Sequence, residues 1–432
     1  MKYKPYDEYK KSGVNLLEQI PKNWQKYSFK ELFTKKEITN LTNEGLLSVY
    51  LDRGVIPYSE GGGLVHKPSE SLEKYQLVDI NDFVMNNQQA WRGSVGISNY
   101  RGIVSPAYLV FSTDKEKADP SYLKYLLKDN ISVSQFSLSS LSVGTIQRQV
   151  KWHLLRNISL FLPSLDDQLK ISKFLDKEIL KIDNLISKQE KLIKLLDEQR
   201  KSIISHAVTK GLNPSAPLKH IDHKWIGQIP EHWDMYRLRF ISKIYAGGTP
   251  DRKCKEYWEN GTIPWINSGA VNQVNIVTPS EYITEMGYRN SSANYIPKNS
   301  LVMALAGQGK TKGMVAYTSI ETTCNQSMAA IVPKDYDYKF LFYWLSANYQ
   351  NIRNMTGGDN REGLNLVILS SIPCPKLPIN EQREIALYLD KETLKIDNLI
   401  LKQNQLIEKL KEYRSSIISH AVTGKIDVRE AL

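Results

Sequence analysis

The sequence predicts an α+β chain: two globular mixed α/β domains joined by two long antiparallel coiled-coil helices, the whole an internal duplication with pseudo-two-fold character. Three observations predict it. One stretch occurs twice, at residues 167–209 and 381–423; the copies align without a gap at an offset of 214 residues and share 28 of 43 positions. Such self-similarity marks a duplication and governs how every other element is read. Apolar residues within each copy recur at alternating steps of four and three. A second pair of matching segments, centred on Gln-Ile-Pro, opens each half of the chain.

The repeated stretch reads as one long helix in each copy. Neither copy contains Gly or Pro, and Leu, Ile, Lys, Glu and Gln dominate. In the first the apolar series is Leu175, Ile179, Ile182, Ile186, Ile193, Leu196 and Ile203. In the second it is Leu389, Ile396, Ile400, Ile407, Leu410 and Ile417. That spacing is a coiled-coil seam rather than a broad globular face. Gln189 and Gln403 fall on the seam at the same repeat position. A polar seam residue either fixes register or is partly solvated and fixes nothing. A helix of this length spans roughly 60 Å at ~1.5 Å per residue and does not protect its apolar stripe alone. The available partner for each helix is the other one. The first ends where the second half begins, and the second starts after that half has folded. Helices connected in this way pack antiparallel.

Taken in order, residues 1–12 are polar, rich in Tyr and Lys, and loosely held until packed. Gln-Ile-Pro comes next at 19–21 and again at 228–230, with Trp24 and Trp233 three residues after each proline. The duplication therefore spans whole halves, about 13–211 and 222–425. The segment 211–217, GLNPSAP, is a turn-rich helix stop. Between each Trp and its long helix lie residues that differ strongly between the halves. The first contains the β-like runs LLSVYL, FVMNN, VGIS and AYLVF, then a helical stretch near 121–127. The second contains TIPWINS, SLVMALA, MVAYTS and MAAIVP, then a helix near 338–347. The domain reading is 1–160 for the first globule and 161–211 for the first central helix. Residues 212–375 form the linker and second globule, and 376–432 the second central helix and tail.

Composition narrows the function classes. At 432 residues, with 41% hydrophobic residues, the chain can bury two or three cores. No apolar run reaches transmembrane length, and the N-terminus does not resemble a signal peptide. The three cysteines, Cys254, Cys324 and Cys374, have no CxxC spacing, so a disulfide framework or zinc site is not expected and a cytoplasmic setting fits. The net charge of +11 points to a polyanionic partner, against the bland reading of a merely Lys-rich surface.

No motif supplies an enzyme. Residues 304–311, ALAGQGKT, nearly match a phosphate-binding loop, but Ala304 stands where Gly is required. The next residues, KGMVAYT, read as a strand, not the helix whose N-terminus would hold phosphates. The turn is read as exposing Gln308, Lys310, Thr311 and Lys312. No Gly-rich cofactor loop, no Asn-Pro-Pro-aromatic signature and no nuclease-like carboxylate cluster occurs.

The candidate nucleic-acid surfaces are loops rich in amide, Arg and aromatic groups. In the first globule Asn86, Gln88 and Gln89 precede Trp91 and Arg92, and a Gly-started loop carries Gln147 and Arg148. Asn and Gln can bond adenine bidentately and Arg can bond guanine so. In the second globule the counterparts are Asn267 and Ser268, Gln308, Lys310 and Lys312, the pair Asn325–Gln326, and Asn360 with Arg361. Each one alone is as readily a solvated or backbone-capping residue; the set is stronger than its members.

These segments carry a resemblance. QAWRGSVGIS with GIVSPAYLVF in the first globule, and GGTPDRKCKEYWENGTIPWI with NQSMAAIVP in the second, are similar to the DNA-specificity subunits of type I restriction–modification systems. So are KGLNPSAPLKHIDHKWIGQIPEHW, the two SIISHAVT helix ends and the C-terminal GKIDVRE. The resemblance covers nearly the whole chain. It implies two target recognition domains spaced by an antiparallel coiled coil, reading the two parts of an asymmetric double-stranded DNA target, with no catalytic activity of the chain's own. It implies as partners two methyltransferase subunits that bring S-adenosylmethionine and two restriction subunits that use ATP and Mg, with no cofactor bound by this chain and no membrane partner. Base-contacting residues do not transfer, because they differ with each target. The competing readings are a self-contained nuclease or methyltransferase, a protein-only coiled-coil adaptor, and a decoy specificity subunit.

Overall fold

In the computed structural model the described residues are 3–61, 67–143, 147–307, 310–356 and 363–431. The two repeated stretches are helices Leu165–Lys210 and Ile379–Val422. The chain divides into two compact units that cut across both helices. One comprises Met1–Gln189 with Asn404–Leu432, the other Glu190–Gln403. Each unit therefore holds one globule, half of the first long helix and half of the second.

In the first unit a four-stranded antiparallel sheet orders Phe33–Lys36, Tyr108–Thr113, Phe83–Asn86 and Val95–Ile97. Phe29, Phe33, Phe83, Phe111 and Phe136 fill its covered face. Helix Pro120–Leu126 starts on Asp119, whose carboxylate accepts the Ser121 and Tyr122 amides. From residue 3 on, the N-terminal segment is packed: strand Tyr9–Val14 pairs with Leu17–Pro21, and Asp427 N donates to Lys4 O at 2.8 Å. The second unit carries a five-stranded sheet ordered Ser242–Ala246, Met328–Pro333, Leu301–Ala304, Val315–Thr318 and Asn275–Ile276, the last pair parallel. A three-stranded sheet joins Glu281–Ile283, Ile263–Ile266 and Thr323–Cys324. Helix Tyr338–Ala347 lies between Asp337, its cap, and Asn348.

Within each unit the two half-helices run antiparallel. In the first, Asp167 pairs with Arg429 beyond the far end of the second long helix, and Asp183 with Arg414 at 2.9 Å. In the second, Arg200 pairs with Asp397, and Ala207 and Val208 share a core with Ile385, Ala386 and Leu389. Of the seam positions, Leu175, Ile182, Leu389, Ile396 and Ile407 are buried, while Ile186, Gln189, Ile193, Ile400 and Gln403 are half-buried.

The repeat extends to polar groups that hold each globule on its helix. Gln168 and Gln382, one repeat apart, are both fully buried. The Gln168 amide accepts the Asp119 N–H at 2.8 Å and donates to the Lys117 and Pro163 carbonyls. The Gln382 amide accepts the Asp337 N–H at 2.8 Å and donates to the Leu377 carbonyl. Two turns further along, Asp176 is held by Lys124 and the Tyr125 hydroxyl, and Asp390 by Lys339 and the Tyr343 hydroxyl. The tryptophans of the Gln-Ile-Pro segments explain themselves the same way. Trp24 and Trp233 are fully buried. Each packs near a glycine past a long-helix end, Gly424 and Gly211, both left-handed with φ of 73° and 72°. A Cβ on Gly424 would meet Pro21 Cδ at 2.3 Å, so the helix end and the Pro–Trp segment fit only with no side chain there.

Gln168→Ala is expected to cost about 1–3 kcal/mol, because the Asp119 N–H loses its partner away from water. Exposed Leu180→Ala should stay within roughly 0.5 kcal/mol. Urea unfolding followed by circular dichroism compares the two; equal midpoints would remove the glutamine from the frame's stabilising contacts.

Candidate nucleic-acid interface

The first unit brings several of the sequence candidates together. Strand Phe83–Asn86 ends in a loop whose first turn is closed by its own side chains. Asn86 Oδ1 accepts the Gln88 N–H at 3.0 Å, and Trp91 Nε1 donates to Gln88 O at 3.0 Å. Turn Ala90–Arg92 ends at Gly93, left-handed at φ 95°, where a side chain would be strained. The Gly-started loop is corrected to a hairpin: Gln147–Val150 is a strand paired with Ser140–Val143. Its tip, 144–146, lies outside the described residues, as does the Gln147 side chain. Asn87 Oδ1 accepts the Val150 N–H at 3.0 Å and so ties the hairpin to the loop. The result is that two guanidinium groups meet one indole. Arg92 lies 4.5 Å and Arg148 5.3 Å from the Trp91 ring centroid. Arg148 also donates to Ser137 Oγ at 3.2 Å. Two cations over one ring hold their planar forks in fixed directions at modest cost. Gln89 is half-buried and Arg92 exposed.

The second unit keeps fewer of them on its surface. Asn267 is half-buried, and its Oδ1 accepts the Gly269 N–H at 2.9 Å to start the turn Ser268–Gln273. Lys310 is exposed, and its carbonyl accepts the Tyr349 hydroxyl at 2.6 Å. Lys312, read as exposed, is buried; its ammonium donates to Thr356 Oγ1 at 2.7 Å. Lysine tolerates that burial only with partners, so the residue is part of the scaffold. Trp265, two residues before Asn267, is buried with its Nε1 donating to Gly248 O at 3.0 Å. Gln308, Asn360 and Arg361 lie outside the described residues.

Three features escaped the sequence. Lys310 rims an apolar hollow of about 340 Å³ with Val271, Val274, Met314 and Phe342. Val274 there has φ 62° and ψ −57°, an outlier for a β-branched residue. In the first unit a cleft of about 520 Å³ is lined by Arg53, Lys124, Lys128, Lys411 and Arg414. Burial pushes the Lys128 ammonium down from its ordinary value. The third is a cluster of Arg252 with Trp258 and Trp265. Position in the chain gave no sign of these: the hollow and the cleft join segments remote in sequence, and in the third the spacing along one stretch does not say which groups will meet. Among the described residues no group of three or more His, Cys, Asp or Glu could hold a metal ion, and no helix is long and apolar enough to cross a membrane. All three cysteines are unpaired.

Comparison with known proteins gives this surface its context. The family model described as the type I restriction modification DNA specificity domain matches twice, over residues 21–195 and 230–412. The chain belongs to that family. Its role is DNA sequence recognition in a type I restriction–modification system. The MjaVIII specificity subunit of Methanocaldococcus jannaschii is 26% identical over 377 residues, covering 85% of this chain and 84% of that protein. The EcoR124I/EcoR124II specificity subunit of Escherichia coli is 31% identical over 186 residues, 41% of this chain and 46% of the other. Two solved structures share the fold. A chain of a type I restriction–modification system superposes with a TM-score of 0.73 at 16% identity, covering 94% of this chain and 99% of its own. The HsdS subunit of Thermoanaerobacter tengcongensis gives 0.58 at 16% identity, covering 94% and 98%. Both matched stretches of this specificity subunit begin near a Gln-Ile-Pro segment and end inside a long helix.

Trp91→Ala should free both guanidinium groups and weaken target binding by roughly five- to thirtyfold, taking about 0.5–1 kcal/mol per cation–aromatic contact. Trp91→Phe should recover most of it. Fluorescence anisotropy of the assembled complex on a target duplex measures both; equal affinity of Trp91→Ala and parent would mean the stack does not face DNA.

Proposed function

We propose that each unit reads one half of a bipartite, asymmetric DNA target, and that the chain itself performs no catalysis. The observation that carries this is the contrast between what repeats and what does not. Gln168 and Gln382, Asp176 and Asp390, and the ion pairs Asp183–Arg414 and Arg200–Asp397 recur one repeat apart. Among the described residues, the loops that present Trp91 with Arg92 and Arg148 in one unit, and Asn267 and Lys310 in the other, are built from different residues on different elements. A frame held constant under two different surfaces fits two different half-sites. Lys and Arg at phosphates supply salt-dependent affinity, and the forks and amides at base edges supply the choice of sequence.

Chemistry then falls to partner subunits: two methyltransferase subunits with S-adenosylmethionine and two restriction subunits that use ATP and Mg. A second leucine stripe supports two copies of one partner. Leu180, Leu185 and Leu406 in the first unit are 63%, 45% and 41% exposed. Their repeat equivalents in the second, Leu394, Leu399 and Leu192, are 60%, 43% and 39% exposed. The same apolar set left uncovered twice fits the same partner docking twice.

Exchange of about residues 25–155 for the equivalent domain of a relative should change one half of the target only, read by methylation sequencing; a change in both halves would end independent reading. Arg92→Ala is expected to cost about 1–3 kcal/mol at one base pair, while Lys310→Ala weakens all sequences alike and lowers the salt slope by about one unit. Binding to matched and single-mismatch duplexes across salt concentrations separates the two. Glu at Leu180, Leu185 and Leu406 together should leave one methyltransferase subunit per chain instead of two by native mass spectrometry.

A further inference from the structure

Arg252 lies beyond strand Ser242–Ala246 in a loop that also exposes Lys253 and Lys255. Its guanidinium carbon lies 3.6 Å from the Trp258 ring centroid and 4.9 Å from that of Trp265. The two indoles meet edge to face at 5.3 Å. Each is anchored by its ring nitrogen, Trp258 to Asp251 O at 3.1 Å and Trp265 to Gly248 O at 3.0 Å. Gly248 leaves no room for a side chain, since a Cβ would lie 2.3 Å from Ser292 Oγ. The arginine is therefore aimed by a rigid aromatic corner. Its Nη1 and Nη2 both donate to Glu281, at 2.6 and 2.9 Å, one to each carboxylate oxygen. Glu281 is registered opposite Trp265 in the three-stranded sheet, next to Ser280, whose hydroxyl accepts the Asn267 N–H.

The ion pair is exposed, with 49% and 42% of the two side chains accessible. Exposed pairs add little to stability; the two tryptophans pack with Ile263 and Ile283, and the corner they form holds the arginine as well as that small core. What it presents is the two-pronged end of a guanidinium, facing two acceptors. Guanine is the base whose major-groove edge offers two adjacent acceptors, O6 and N7; adenine, cytosine and thymine each offer a donor or a single acceptor. A carboxylate reproduces that two-acceptor pattern.

We propose that Arg252 reads a guanine in the half-site of the second unit, and that Glu281 occupies its guanine-reading edge until DNA displaces it. The proposal rests on the reading of the chain as a two-part DNA reader. Binding exchanges one bidentate pair for another at guanine. Any other base leaves Arg252 without an equivalent exchange, and the Glu281 carboxylate stays on the surface, repelling phosphates.

The test uses the methyltransferase assembled on the full chain, with the target defined by methylation sequencing. Duplexes carry 7-deazaguanine, which lacks the N7 acceptor, at each guanine of the second half-site in turn. The parent should lose affinity about tenfold or more at one position. Arg252→Ala should bind the normal and substituted duplexes equally at that position while keeping its preference for the first half-site. Glu281→Gln should bind the target about two- to fivefold tighter, the scale of an exposed ion pair, and keep the guanine preference. A second half-site without guanine, insensitivity of the parent to every substitution, or sensitivity unchanged in Arg252→Ala would each overturn the proposal and leave two-part reading intact. Weaker target binding by Glu281→Gln would overturn the displacement. If Arg252→Ala altered preference in both half-sites, two-part reading itself would fail.

Discussion

The frame depends on a buried amide used twice. Gln168 and Gln382 each place a neutral polar group in the core at the base of a long helix, and each takes the N–H of the aspartate that caps the first helix packed against it. A buried amide left unpaired is costly, so the helix and the globule can meet in one register only. The apolar seam alone would tolerate a slip of a turn; the amide, with an aspartate held by Lys and Tyr two turns later, would not. Everything placed on the globule inherits its position from those contacts.

That division of labour bears on how the surface changes. The aromatic stack of Trp91, Arg92 and Arg148 is supported by loop-to-hairpin hydrogen bonds such as Val150 N–H to Asn87, and none of these involves the long helices. Loop substitutions can therefore alter this surface without loading the frame. The Arg252 corner is built likewise from residues of one globule.

The helices, their seam spacing and the main strands were legible because periodicity survives without knowledge of partners: Leu47–Tyr50, Tyr108–Thr113 and Met328–Pro333 fall on β-branched and aromatic runs. Gln168 and Gln382 were not. Within a helix rich in Lys, Glu and Gln, nothing local separates a buried glutamine from a solvated one. Lys312 was misread for the same reason in reverse: a Gly-Lys-Thr-Lys turn looks solvated, and only the neighbourhood of Thr356 draws the ammonium inward. Arg148 was placed in a loop because Gly144 suggested one, whereas pairing with Ser140–Val143 makes it a strand residue. Arg252 and its tryptophans needed the fold, since spacing along a loop does not say which rings will meet.

The backbone at Val274 has one more consequence. A β-branched side chain at φ 62° and ψ −57° holds about 1–3 kcal/mol of strain that glycine would not. The turn therefore stores thermal headroom: replacing Val274 would raise the melting temperature and withdraw an apolar side chain, 48% exposed, from beside the Lys310 hollow. Robustness gained at that residue therefore comes with a change in the apolar surface beside Lys310.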